Sequence, residues 1–367
     1  MRALIVVTDS RRGGAPIRCA TIAEGMASLG WDILAVSLLP PGPVLQGLAR
    51  KGIATADLDL GSVRRLPHAS FRLRRLVQSW APDVVQTSLW HANILGRVSV
   101  VGLKRPVIST FEDLRPVSRA RHVAERTTLR LAAAHVAVCQ AGARRAVEFD
   151  RVPPERLRVI PLGVDVDHWS ALPDRDSCRT SFGIPQDAPV VGWNGRYDGV
   201  KNLPGLMRAV GTLPGWWLLV AGAGDPPPEL ARWVAESGLG DRVVLAGELD
   251  DVRPVLAAAD VFAMASVTEA MPVALVEAMA AGLPVVAPAV GGIPEIVTSD
   301  QDGLLVAPGD EAALARAIVE AKERAGELGP RAADTVRTRF ALGTMLASYD
   351  RLWREVASSR QTFRRRS

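Results

Sequence analysis

Short apolar runs rich in β-branched residues return along the chain with segments of helical period between them, and this alternation constrains the fold more than any other feature. The runs are Ala3–Val7, Ile33–Val36, Val84–Val85, Val107–Ile108, His135–Val138 and Val159–Ile160. A second set follows as Val190–Trp193, Trp217–Val220, Val243–Ala246, Val261–Ala265, Val285–Ala287 and Leu304–Val306. Their length and composition are those of strands buried on both faces. Segments such as Ile22–Leu29, Phe71–Trp80, Ala120–Ala133 and Pro272–Ala281 carry the helical period. Strand alternating with helix, twice over, predicts two doubly wound parallel-sheet α/β (Rossmann-like) domains, and a length of 367 residues suits two domains rather than one. Pro153, Pro154, Pro161 and Pro173 mark the join. Such sheets bind ligands outside the carboxyl ends of their strands, so the chemistry is expected in a cleft between two facing domains.

Composition removes several alternatives. Hydrophobic residues at 48% against charged residues at 23% exclude disorder as the main state. Asp260, Glu269 and Glu277 interrupt the most apolar region, and no run approaches the ~20 apolar residues of a bilayer-spanning helix. Ala3–Val7 is too short for the apolar centre of a secretory leader. Cys19, Cys139 and Cys178 have neither the even count of a disulfide framework nor the close pairing of a zinc site, which reads as a reducing cytoplasm. Charge divides unevenly: residues 1–160 hold 24 Lys and Arg against 12 Asp and Glu, a net of +12, and the remainder has a net of −7. Two readings stand: an anionic partner of the first half, or arginines that only solvate helix faces.

No G-x-G-x-x-G follows the first strand, where Ser10-Arg11-Arg12-Gly13-Gly14 stands, and no G-x-x-x-x-G-K-[ST] loop exists. Dehydrogenase and P-loop kinase readings lose their main support. Gly13 and Gly14 still let backbone N–H groups approach an anion before a helix, although an ordinary strand-to-helix turn has the same composition. In the segment from Val267 to Gly282, Pro272 suits the first turn of a helix and Gly282 its end. Glu269 then sits in the loop before the helix and Glu277 a little over two turns in, toward roughly the same side. Free N–H groups around Met271, Val273 and Ala274 with two flanking acids fit a phosphorylated sugar; the bland reading is a helix-start charge and a surface acid. Gly192 to Asn202 leaves a strand through a glycine-rich turn carrying Arg196 and Lys201, two cations able to hold a diphosphate without a metal.

These segments resemble the retaining glycosyltransferases of family 4 (GT4), which have the GT-B architecture. The resemblance runs over nearly the whole chain and rests on Val159 to Asp165, Gly195-Arg196 with Lys201-Asn202, Ala221 to Gly224 and Gly247-Glu248-Leu249. It continues through Ala259 to Phe262, Glu269 and Glu277 at E-x7-E spacing, and Gly291 to Glu295. It implies transfer of a sugar from a nucleoside diphosphate donor to an acceptor hydroxyl in polysaccharide, glycolipid or lipid-linked oligosaccharide synthesis. The donor is a substrate, so no cofactor and no metal are implied. Arg196 and Lys201 would hold the diphosphate, Glu277 the ribose hydroxyls, and Glu269 with the Met271 backbone the sugar. Val273 and Ala274 N–H groups would meet the phosphate, Gly222 with Glu248 and Leu249 would border the base, and the Gly13-Gly14 loop would close from the other domain. Residues 1–165 are expected as the acceptor-side domain and 166–344 as the donor-binding domain, with a final helix of about 345–367 packing back on the first.

The sequence departs from the family at Leu162, where Asn is usual, and at Glu112, which stands in Thr110-Phe111-Glu112-Asp113 where the family has a functional histidine. Glu112 could still orient an acceptor hydroxyl, and His91 is a second candidate; both are included among the catalytic candidates with Glu269, Arg196 and Lys201. Val63 to Trp80 mixes arginines with apolar residues, as a helix on an anionic inner-membrane face would, and equally as an ordinary amphipathic helix would. The tail from Arg360 is expected to be disordered. Nucleic acid is not an expected partner. The rival readings are a nucleotide-sugar hydrolase or epimerase on the same fold, and an inactive nucleotide-sugar-binding relative.

Overall fold

The computed structural model describes residues 1–61, 66–114 and 118–364, with side chains to 358. The expectations for residues 63–65 of the arginine-rich segment, for the side chains from Arg360 and for the last three residues fall outside it. The chain forms two units, Met1–Leu162 with Gly343 onward, and Gly163–Leu342.

The first unit is built on seven parallel strands: β1 (Arg2–Val7), β2 (Asp32–Ser37), β3 (Ala54–Asp57), β4 (Val84–Ser88), β5 (Val107–Phe111), β6 (Ala134–Ala137) and β7 (Leu157–Val159), in the order β3-β2-β1-β4-β5-β6-β7. Central strands are buried on both faces, and Val6 stands between Val36 and Thr87 in register. Leu4, Val6 and Val85 form one core with Leu73, Val77 and Leu95 from helices Leu66–Trp80 and Trp90–Ser99. The strand that the apolar pattern misses is β3, a half-exposed edge of small and polar residues that has no core face to advertise.

Helix Leu342–Arg364 returns to this unit. Trp353, fully buried, donates its Nε1 proton to Gln86 Oε1 at 2.6 Å, and Trp31 donates to Asp350 at 2.7 Å. Gly25 is required by close approach here, since a Cβ would lie 2.3 Å from Leu346.

The second unit has six parallel strands: β8 (Val190–Arg196), β9 (Trp217–Ala223), β10 (Val243–Leu245), β11 (Val261–Ala263), β12 (Val285–Pro288) and β13 (Leu304–Val306), in the order β10-β9-β8-β11-β12-β13. Both sheets are doubly wound, the fold class that the alternation predicts. The order reverses between β1 and β4 in the first unit and between β8 and β11 in the second. Ligands enter sheets of this type at such switch points. Among the described residues no helix is long and apolar enough to cross a membrane.

Candidate functional site

The switch of the second unit gathers the charged residues singled out from its sequence. Arg196 is the last residue of β8, and Lys201 ends the short turn Gly199–Lys201 that follows. The Asp198 side chain accepts from the Val200 N–H and the Lys201 N–H donates to the Asp198 carbonyl, which fixes that turn. Val267, past the end of β11, donates its N–H to the Val200 carbonyl at 2.8 Å, tying the two loops together. Lys201 Nζ thereby reaches Glu269 Oε1 at 2.7 Å, with both side chains largely buried. The Glu269 carbonyl accepts from the Gly292 N–H, which adds the loop after β12. Arg196 remains half-exposed, 3.4 Å from Asp198.

Pro272 precedes helix Val273–Ala280, its fixed φ suiting the start. Val273 and Ala274 occupy the first turn, where N–H groups lack helical partners. Glu277 lies within the helix and is buried. Burial pushes its carboxyl up to about 7, and a hydrogen bond from the Asn194 side chain of β8 pulls the other way. Asn194 alternates with Arg196 along one side of β8, a period-two signal that could have flagged it from sequence. The Oδ1 of Asn194 and the Ser266 hydroxyl are buried without a hydrogen-bond partner.

At β9 the expected base-bordering residues have a different neighbour than sequence suggests. A Cβ on Gly222 would lie 1.9 Å from the Tyr197 ring, so that glycine makes room for Tyr197. Glu248 accepts from the Gly224 N–H at 2.8 Å, which ties the loop carrying Glu248 and Leu249 to the end of β9. Met271 lies in the loop between Glu269 and the helix.

In the first unit Gly13 caps helix Gly14–Ser28 after β1, in extended backbone that any residue adopts. His91 lies in the first turn of helix Trp90–Ser99 after β4, so both flank the β1/β4 switch. Burial and then the nearby Arg121 push the His91 imidazole below its ordinary range, which favours its neutral form. Arg121 itself stacks 5.1 Å from the Trp90 ring. Glu112 is no open acid: its carboxylate accepts from Arg18 Nη2 at 2.8 Å, with about a twentieth of either side chain exposed. Arg18, in contrast to Asn194, carries no local sign of its pairing with Glu112, which lies 94 positions away.

Two family models match the chain, "Glycosyltransferase Family 4" over residues 12–168 and "Glycosyl transferases group 1" over residues 188–323. A 2-deoxystreptamine glucosyltransferase of Streptomyces kanamyceticus is 32% identical over 311 residues, which cover 76% of this chain and 80% of that protein. The chain belongs to glycosyltransferase family 4. A D-inositol 3-phosphate glycosyltransferase of Mycolicibacterium smegmatis is 30% identical over 73% of this chain and 67% of its own length. Among solved structures, a sucrose-phosphate synthase from Thermosynechococcus elongatus superposes with a TM-score of 0.86 at 22% identity, covering 98% of this chain and 100% of that one. Anabaena HepE in complex with UDP-glucose superposes with a TM-score of 0.85, also at 22% identity and the same coverages. These likenesses place the transferase in the GT-B fold class.

Proposed function

We propose that this transferase moves a sugar from a nucleoside diphosphate donor to a hydroxyl of a lipid-linked saccharide or cyclitol acceptor, with retention of anomeric configuration and without a metal, at the cytoplasmic face of a membrane. The observation that carries the reading is the Lys201–Glu269 contact at the β8/β11 switch, with Arg196 at the strand end beside it. A nucleoside diphosphate is already a good leaving group, so two preorganised cations that stabilise its developing charge supply most of what the reaction needs. Glu269 and the Met271 backbone hold the sugar, and the Val273 and Ala274 N–H groups meet phosphate oxygens. Glu277 accepts from the ribose hydroxyls, and the loop of Glu248 and Leu249 meets the base beside Gly222 and Tyr197. The buried unpartnered atoms of Asn194 and Ser266 suit a polar ligand, because buried polar groups are almost always hydrogen-bonded.

The first unit supplies the acceptor side, with the Gly13-Gly14 backbone and a neutral His91 able to accept a hydroxyl proton. Glu112 serves here as a positioning residue through Arg18. Relatives named for 2-deoxystreptamine and inositol 3-phosphate support a polyhydroxylated ring as acceptor. The test is a panel of nucleoside diphosphate sugars with such acceptors, reading nucleotide release, glycosylated product and its anomeric configuration. Product with the donor's configuration is expected. Nucleotide release without product identifies a hydrolase, donor binding with neither identifies a binding protein, and an inverted product refutes the retaining mechanism.

A further inference from the structure

The second unit neutralises arginines in place: the exposed Arg331 on Glu327, and the partly buried Arg253 on Asp251 and Arg324 on Asp300, Glu320 and Glu327. One face of the first unit does the opposite. Helix Arg119–Thr128 continues into the turn Leu129–Leu131, and steps of four, three and four residues set Arg119, Val123, Arg126 and Arg130 along one side. All four are exposed, and none has an acidic partner among the described residues. Val123 is 59% exposed. Arg126 donates through Nε and Nη2 to the Phe149 carbonyl at 3.0 and 2.5 Å, which holds Phe149, 48% exposed, beside the stripe.

The acids of these segments are mostly withdrawn. Glu125 lies buried on the inner side of the helix against Arg97 at 2.5 Å, and Asp150 is buried against His122 at 2.7 Å, leaving Glu148 as the exposed acid of the Ala146–Asp150 turn. Cations without counter-charges around exposed aliphatic and aromatic side chains match an interfacial lipid surface. Guanidinium groups bind headgroup phosphates, and the apolar side chains reach the acyl boundary. A polyanion without an apolar layer gives Val123 and Phe149 nothing to bury against. The arginine-rich helix Leu66–Trp80 is the weaker candidate, because Arg72 donates to the Leu58 and Asp57 carbonyls and Arg74 to those of Ser99 and Val101.

We propose that the face formed by Arg119, Val123, Arg126, Arg130 and Phe149 docks this protein on an anionic phospholipid surface. The face shares no residue with the proposed donor site, so loss of lipid binding and loss of donor turnover are distinguishable results. The test is co-sedimentation of the full chain with vesicles of phosphatidylcholine alone or mixed with phosphatidylglycerol, at low and high salt. Binding is expected only with phosphatidylglycerol, weakening as salt rises. Arg119→Gln with Arg130→Gln should lower affinity about 25-fold, at about fivefold per arginine. Val123→Ser should lower it severalfold with unchanged salt dependence. Both variants should keep the wild-type melting temperature and donor turnover.

Wild type that ignores phosphatidylglycerol vesicles, or a double arginine variant that binds them normally, overturns the proposal. Equal affinity for a DNA duplex, indifferent to Val123→Ser, overturns it in favour of a polyanion surface. Should a variant melt early, hydrogen exchange of the wild type decides: vesicle-induced protection is expected at residues 119–131 and 146–150, and protection elsewhere alone refutes this face.

Discussion

Arg18 and Glu112, 94 positions apart, form a buried ion pair of 2.8 Å that joins helix Gly14–Ser28 to the residue after β5. Cys19 and Tyr349 adjoin it, and burial pushes both the Cys19 thiol and the Tyr349 hydroxyl up to about 12, so neither ionises near neutrality.

Breaking one side of a buried pair leaves the other charge stranded, so Glu112→Gln should lower unfolding stability by about 3 kcal/mol. Arg18→Met with Glu112→Leu should recover most of that loss, since an apolar pair of similar size removes both charges. Denaturant titration of the three proteins checks this. A Glu112→Gln variant that unfolds like wild type but turns over slowly would instead make Glu112 a direct acceptor contact.

In the proposed function, Arg196 and Lys201 act on charge that grows as the donor bond breaks. Arg196→Ala and Lys201→Ala should each lower kcat by ~100-fold with a smaller change in donor affinity. Glu277→Ala removes contacts made before and during transfer alike, so donor affinity should fall more than kcat. Steady-state kinetics with a direct donor-binding measurement separates the two patterns; normal kcat in both cation variants sinks the donor-site assignment.

With Glu277 in the proposed donor site, both stability and donor binding are expected to depend on pH. Its folded carboxyl titrates at about 7 against an ordinary 4.5, so the unfolded chain releases this proton first and stability is lost as pH rises between those values. Above about pH 7 the full cost is present, about 3 kcal/mol. Glu277→Gln should therefore be more stable than wild type at about pH 8, with the difference fading toward about pH 4. Donor affinity of the wild type should rise through the same interval as the carboxylate becomes a full acceptor, and the Gln variant should lack that rise. Parallel pH profiles of melting and donor binding test both halves; a stability difference that grows toward acid refutes the titration.

Trp353 anchors the returning helix by burial, its bond to Gln86 and an edge contact with Trp31 whose ring centroid lies 5.1 Å away. Trp353→Ala should destabilise the first unit by about 4 kcal/mol, through the cavity and the lost partner of Gln86. Thermal unfolding with and without a donor checks it, and an unchanged melting temperature would show that the helix is dispensable.

The sequence alone determined the two doubly wound sheets, because strands buried on both faces and helices with one apolar side are written in local periodicity. β8 and β11 are legible for this reason, and β3, a short edge of Ala54 to Asp57, is not. It also marked Lys201, Glu269 and Glu277, through glycine and proline punctuation around charged residues and through family resemblance. Only the tertiary structure decided their partners. Lys201 meets Glu269, Asn194 meets Glu277, Tyr197 fills the space over Gly222, and Arg18 takes the carboxylate of Glu112. Such meetings depend on strand order, on register and on which face of a sheet a helix covers. Those are set by packing among segments far apart in the chain, where local pattern has no reach.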